Sequence, residues 1–175
     1  SELRTNRIVP RDGLPSGSSG GVIQIKSKHI TDYFTSNSGT YVDITGHNIT
    51  ITPTRADSKI LIQYWINWMH AGGNDTAATL RLLRNGTVIG SDSGNPMNDD
   101  RMGMITMYMA SQAHFSVSGF NYLDSPGTTS ALTYKTQLHL DSTSFTGGNI
   151  WGVNRYPALD DYRGSSSITA YEVSG

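Results

Sequence analysis

The sequence predicts an all-β chain, an antiparallel β-sandwich preceded by an extended arm, and three observations carry that prediction. Residues suited to exposed helices are scarce: Glu occurs only at Glu2 and Glu172, Lys four times, and Gly nineteen times. Thr, Ser, Tyr and Ile are common, which favours strands and turns. From Gly21 onward, short alternating runs are broken by turn residues every ~8–12 positions, as sandwiches and barrels require. Polarity comes from Ser, Thr, Asn and Gly, since only 15% of the 175 residues are charged, against the usual ~25%.

The length fits one domain with a short appendage: an arm and Gly/Ser linker over 1–21 and a sandwich over 22–175. A formal net charge of −1 supplies no basic field for nucleic acid. The absence of cysteine rules out a disulfide framework and thiolate metal sites. No apolar run approaches the ~18 residues of a membrane-spanning helix, and the N-terminus lacks a signal-peptide core. The first residue is Ser, as after removal of an initiator Met, so a whole gene product is expected.

In chain order, LRTNRIV (Leu3 to Val9) sets apolar Leu3, Ile8 and Val9 among Arg4 and Arg7, with Arg11 just beyond. A free tail has little use for those apolar residues, so this stretch reads as an arm that orders against another protein; a disordered tail is the alternative. DGLPSGSSGG (Asp12 to Gly21) is a linker. VIQIKSKHI (Val22 to Ile30) opens the strands, and HNITITP (His47 to Pro53) alternates with Ile49 and Ile51 on one side.

SKILIQYWINWMHA (Ser58 to Ala71) is the most marked strand, with Ile60, Ile62, Tyr64, Ile66 and Trp68 on one face and Leu61, Gln63, Trp65, Asn67 and Met69 on the other. Apolar groups on both faces call for cover on both, one side by the core and the other by a neighbour, possibly in another subunit. ATLRLLRNGTVIGS (Ala78 to Ser91) is a hairpin about Asn85-Gly86, whose type I′ turn needs positive φ at both central residues. MGMITMYMA, HFSVSGFNYLD, ALTYKTQLHL and SSITAYEV (Ser166 to Val173) read as later strands. Asp141 to Gly164 reads as loop-rich.

The chemistry inventory holds no catalytic motif. The five histidines make no metal-ligand spacing with one another or with carboxylates. Asp99-Asp100 and Asp160-Asp161 read as solvated loop residues, not as a glycosidase pair spanning a sugar. Asp92, Asn95, Asn98, Asp99 and Asp100 offer oxygens to calcium, but at no EF-hand spacing and with Pro96 among them. Neither a metal nor a cofactor is expected. The late aromatic loop is the candidate ligand-binding element: Trp151, Tyr156 and Tyr162 beside Asn149, Asn154, Asp160 and Asp161 supply flat apolar faces next to polar groups. The alternative, which these residues favour, is that the aromatics anchor a long loop or line a subunit contact.

An ordered series of segments resembles a family of small virion proteins of marine bacteriophages and cyanophages. LRTNRIVPRDGLPSGSSGGVIQI looks like that family's leader, TYVDITGHNITITPTRADSKILI its opening strand pair, and TLRLLRNGTVIGS its central hairpin. FNYLDSPGTTSALTYKTQL looks like its later hairpin and SSITAYEV its closing strand. The resemblance implies a compact jelly roll similar to tumour-necrosis-factor and complement-C1q heads, assembled as a homotrimer. It carries no catalytic residue, and its variable apical loops, here Asp92 to Arg101 and Asn149 to Arg163, take no ligand by analogy.

Trimer formation has a reason in the residues too. The two-faced strand with Tyr64, Trp65 and Trp68, and the closing strand with Tyr171 and Val173, present candidate interface faces that threefold closure covers. The expected function is a non-enzymatic virion component, a trimeric head for capsid decoration or a tail fibre, held to the particle by its arms acting together. The alternative is a receptor-binding, lectin-like module for host-surface glycans. No membrane insertion is expected.

Overall fold

The computed structural model describes residues 21–72, 76–90, 103–109, 113–140, 150–155 and 162–175. Those residues form eleven strands and no helix: β1 Val22–Ile30, β2 Phe34–Ser36, β3 Val42–Ile51, β4 Lys59–Ala71, β5 Thr76–Arg84, β6 Thr87–Ile89, β7 Ile105–Met109, β8 Ala113–Asp124, β9 Leu132–Leu140, β10 Ile150–Val153 and β11 Ser166–Val173. The arm residues Leu3, Arg4, Arg7, Ile8, Val9 and Arg11 lie outside the described residues.

The pairing is nested and antiparallel throughout. β1 pairs with β11, β3 with β9, β4 with β8, and β5 with both β6 and β7. Successive nested pairs fall alternately in two sheets. Sheet A runs β1-β11-β4-β10-β2 with β8 on the other edge of β4, and sheet B runs β3-β9-β5-β6 with β7 further along the same edge of β5. A nested hairpin folded this way is a jelly-roll sandwich.

The core lies between the sheets and follows the period-two rule. β4 contributes Ile60, Ile62, Tyr64, Ile66 and Trp68, β11 contributes Ile168 and Ala170, and β9 contributes Leu132, Tyr134, Leu138 and Leu140, all buried. β3 needs a correction of phase to join them. Asp43 pairs with Gln137 and Asn48 with Lys135, so five steps on β3 answer two on β9. Gly46 takes φ +80° within this bulge, and the slip turns His47, Ile49 and Ile51 inward behind Ile44.

At the Asn85-Gly86 turn both residues have positive φ, +48° and +89°, and Arg84 pairs with Thr87 across it. That is the expected type I′ hairpin. Within Asp141 to Gly164, read as loop-rich, Ile150–Val153 forms β10, which sits between β4 and β2. Ile89 pairs with Leu82 and Ile105 with Leu80, and Asp92 to Arg101, expected as an apical loop, lies outside the described residues.

The two poles of the sandwich differ. β1 begins and β11 ends at one, where the Ser174 N–H donates to the Gly21 carbonyl at 2.9 Å. The β3–β4, β5–β6 and β8–β9 turns share that pole. At the other, the strand ends flanking 73–75, 110–112 and 141–149 come together, as the pairs Ala71↔Ala113, Ala71↔Ile150, Thr76↔Met109 and Ala78↔Leu140 show.

Buried polar groups lock the first pole. Asp124 accepts from Arg84 Nη1 at 2.8 and 2.9 Å and from the Tyr134 hydroxyl at 2.6 Å. Glu172 accepts from Gln24 Nε2 at 2.6 Å and from the Thr54 N–H and hydroxyl at 2.7 and 2.8 Å. Burial acts to raise the Glu172 carboxyl, but these donors, Gln24 foremost, hold it below the usual carboxylate range. Asp124→Ala strands a half-buried guanidinium and a buried hydroxyl. It should cost about 3 kcal/mol in a urea titration, with Asp124→Asn costing less.

Within the core, His47 Nδ1 meets the Tyr64 hydroxyl, whose oxygen also accepts from Thr136 at 3.4 Å. Tyr64 is thereby left to donate to a neutral imidazole. Burial, with the Lys28 charge adding to it, lowers the His47 pKa from 6.5 to about 4. As pH falls below about 6.5 the unfolded chain takes up a proton that folded His47 refuses until about pH 4. Stability should therefore fall across that window by up to about 3 kcal/mol. Denaturant titrations from pH 7 to 4.5 should show the fall in the native protein and a flattened profile in His47→Gln.

Candidate functional site

Along one edge of β4 the partner changes. β11 covers Lys59 to Trp65, through Ser167 to Val173, and β10 covers Trp68 to Ala71. At the fork between them sits Asn154, 1% exposed, in the left-handed region at φ +61°. Asn tolerates that conformation better than other residues with a Cβ.

Every polar group of Asn154 is used. Its N–H donates to the Asn67 carbonyl at 2.9 Å, and its carbonyl accepts from the Gly164 N–H at 3.0 Å. Nδ2 donates to the carbonyls of Ile30 at 2.9 Å and Asp32 at 3.0 Å, while Oδ1 accepts from the Ser166 hydroxyl at 2.6 Å. Ser166 Oγ accepts in turn from the Asn67 N–H at 3.0 Å. One amide thus pins the end of β1, the end of β10 and the approach to β11. Gly164 packs closely here: a Cβ would stand 2.4 Å from the Asn67 side-chain amide, which would have to shift to admit it.

Beside this clip lies a depression of about 550 Å³ lined by Thr31, Asp32, Tyr33, Arg163 and Gly164. Tyr33 is 56% exposed. The Arg155 guanidinium carbon stands 4.6 Å from the centre of its ring, and Arg155 bridges to Arg163 across the loop mouth. Asp32, the exposed Tyr33 and Arg163 thus border one open recess.

The second feature is the outer face of sheet A. Ile25, Tyr171, Leu61 and Leu123 form an apolar row across four strands. The next row is polar, with the Ser27 and Thr169 hydroxyls 2.9 Å apart and the Tyr171 hydroxyl donating to Gln63 Oε1 at 3.3 Å. Beyond it Trp65, 49% exposed, lies against Gly119, where a Cβ would stand 2.7 Å from its Cε3. The indole fits only because Gly119 has no side chain. Val117 and Phe115 continue the exposed apolar surface, the latter with its ring 5.2 Å from that of Tyr162.

Sheet B presents the opposite character. Asp43 accepts from Lys135 at 2.7 Å and Gln137 at 2.6 Å, and these two hold its carboxyl below the usual range. Arg81 donates to Gln137 at 2.9 Å and stacks 3.6 Å over Tyr41, and the Thr50 and Thr133 hydroxyls meet at 2.9 Å. Such a cross-strand polar lattice suits water; Tyr108 is its one large exposed hydrophobic side chain among the described residues.

Several sequence expectations need correction. Tyr64 and Trp68, placed at a subunit contact, are 0% and 4% exposed within the single chain, because they belong to the inward row of β4. Trp65, on the opposite row, reaches solvent, and Tyr171 and Val173 are half-buried on the same outer face. Trp151 is 1% exposed, so it is no ligand platform: it packs against Trp68 and His70 at 4.9 and 5.2 Å between ring centres. Asn154 is spent on the clip, while Tyr162 is exposed. Asn149, Tyr156, Asp160, Asp161 and the candidate calcium oxygens of 92–100 lie outside the described residues. Asp32 and Tyr33 went unread with Arg163 because that arginine lies most of a chain length away from them, and no local pattern joins the three.

No protein-family model and no curated protein matches the chain. Among solved structures, that of infectious bursal disease virus Gt strain is 15% identical at TM-score 0.43, covering 99% of this chain and 43% of that one. The VP2 subviral particle of the same virus is 14% identical at TM-score 0.39, with coverage of 99% and 42%. The insecticidal delta-endotoxin Cry8Ea1 of Bacillus thuringiensis is 12% identical at TM-score 0.38, with coverage of 82% and 20%. The chain spans less than half of each, and likenesses this weak carry no argument about function.

The clip makes a graded prediction. Asn154→Gly keeps the left-handed backbone but loses three buried side-chain bonds, and should destabilise by about 2 kcal/mol. Asn154→Ala loses the bonds and also strains the backbone, so it should cost about 1 kcal/mol more. Paired thermal and urea denaturation of the two variants checks the order.

Proposed function

We propose that the chain is a non-enzymatic structural component of a phage particle, a homotrimeric jelly-roll head attached through its N-terminal arm. The observation that carries this reading is the contrast between the two outer faces. Sheet B is dressed in bonded polar side chains, whereas sheet A leaves Ile25, Trp65, Val117 and Leu123 about half exposed on one surface. Scattered apolar residues are ordinary on a protein surface, but a patch spanning several strands of one sheet marks a contact. Copies arranged about a threefold axis cover such a face and close into a ring.

The polarity of the sandwich supports the same arrangement. Gly21, which follows the arm, lies beside Ser174, at the pole away from the strand ends that flank 73–75, 110–112 and 141–149. A trimer docked through three arms directs that far pole outward, where a capsid decoration or fibre tip meets its surroundings, and three arms together raise the effective affinity. A receptor-binding role is the second reading, favoured by the recess at Tyr33 and Arg163.

Sedimentation velocity of the full chain should give three times the mass of one chain. Trp65→Glu and Leu123→Glu should each yield monomers that keep the β-rich circular dichroism spectrum, because a charge in the contact loses its water. A well-folded native monomer at micromolar concentration counts against the reading.

A further inference from the structure

We propose that strand β8 pairs along its free edge with β8 of a second copy of the chain, antiparallel about a twofold axis at Gly119. The inference goes beyond the threefold contact. That contact covers the face of sheet A with side chains, whereas this one extends the sheet through its main chain.

The edges of the sandwich are unequal. An edge strand offers unpaired N–H and C=O groups to any other strand, and proteins blunt such edges with bulges, lysines, prolines or brevity. β1 carries a bulge between Val22 and Gln24 and the charges of Lys26 and Lys28. β3 carries the bulge at Gly46. β2, β6 and β7 have only three, three and five residues. β8 has none of these defences. Among the described residues it pairs with β4 alone, through twelve consecutive partners without a slip, and its sequence holds no lysine, arginine or proline. Its one carboxylate, Asp124, is committed to Arg84 and Tyr134. A long, regular, undefended edge with Phe115, Val117 and Leu123 exposed beside it is suited to being paired.

The occupant follows from the residues, because β8 is self-complementary about Gly119. On the outer face, antiparallel pairing sets Phe115 opposite the partner's Leu123 and Val117 opposite the partner's Asn121. On the inner face Ser116, Ser118, Phe120 and Tyr122 are half-buried. There Ser116 comes opposite the partner's Tyr122 and Ser118 opposite the partner's Phe120, so each large ring meets a small side chain. Moving the axis to Ser118 sets Phe115 against the partner's Asn121 and leaves Val117 facing a glycine, which forfeits the apolar pair. With Gly119 on the axis, the half-exposed Trp65 that rests against it stands beside the centre of the contact, where an indole contributes most. A chain with one threefold and one twofold contact joins its trimers to one another.

The chain has no cysteine, so paired substitutions report the register. In the full chain, Val117→Cys with Asn121→Cys should give a disulfide-linked pair of chains on a non-reducing gel after mild oxidation. Opposed residues of an antiparallel pair stand ~4.5–5.5 Å apart, within disulfide reach, whereas these two positions in one chain lie ~13 Å apart. Either substitution alone should give no link, and Phe115→Cys with Asn121→Cys, which reports an axis at Ser118, should give none; a link there instead overturns the register. Sedimentation equilibrium of the native chain from micromolar to near-millimolar concentration should show the mass at least double, whatever unit it starts from. Ser116→Lys, which points a charge inward at the edge, should raise the concentration needed by about tenfold or more, with an unchanged circular dichroism spectrum confirming the fold. A trimer that never doubles and never cross-links overturns the pairing and leaves the threefold reading in place. A monomer that doubles and cross-links overturns the threefold reading and supports this one. A link between Val117→Cys and Ile8→Cys, in a chain whose mass stays fixed, gives the edge to the arm and overturns the proposal.

Discussion

Strand β4 is hydrogen-bonded along both edges and apolar on both faces, and the rest of the molecule is arranged around satisfying it. Its inward residues Ile60, Ile62, Tyr64, Ile66 and Trp68 are shut from solvent, where shortening a large side chain to Ala costs ~2–5 kcal/mol. Burying them needs a second sheet across the full length of β4, and β3, β5 and β9 provide it. Burying its neighbours' polar ends needs the locks at Asp124 and Glu172. The outward row has no such answer within the chain. Among the described residues, Trp65 lies against Gly119 and stays half exposed.

That imbalance separates the two sheets physically. On sheet B the outward Asp43, Arg81, Lys135 and Gln137 are bonded to one another across strands, so the surface is finished in water. On sheet A the polar row of Ser27, Thr169, Gln63 and Asn121 divides two apolar zones, so the face is patterned and not merely greasy. A patterned face specifies register with a partner, since the hydroxyls and amides must find one another when the apolar rows meet. The two poles differ as well: the first and last described residues meet at one, and the strand ends flanking 73–75, 110–112 and 141–149 gather at the other.

Period and turn chemistry made much of this readable in the residues themselves. β4, β9 and β11 are long enough for alternation to be unmistakable, and Asn85-Gly86 names its own turn. β2 and β10 were illegible because three- and four-residue strands have no period; they exist through pairing with each other and with β4. The two-faced run of β4 told that both faces need cover, but not which face meets the core. Tyr64 and Trp68 were therefore set at a contact when their row faces inward. Trp151 and Asn154 were misplaced for a related reason: an aromatic and an amide near glycines resemble a loop until a distant strand claims them.

The recess beside Asn154 follows from the fold and is not an ornament on it. A strand whose partner changes midway must leave a gap where one neighbour departs and the next has yet to arrive, and the backbone groups facing that gap need partners. Asn154 supplies them with a single side chain, which fixes the fork but cannot fill it. The space left over opens to solvent between Thr31–Tyr33 and Arg163–Gly164. A crevice with rigid walls built by interior hydrogen bonds is stable against changes in the residues that line it. The lining is then free to carry recognition, which is why the clip and the candidate site meet at the same place.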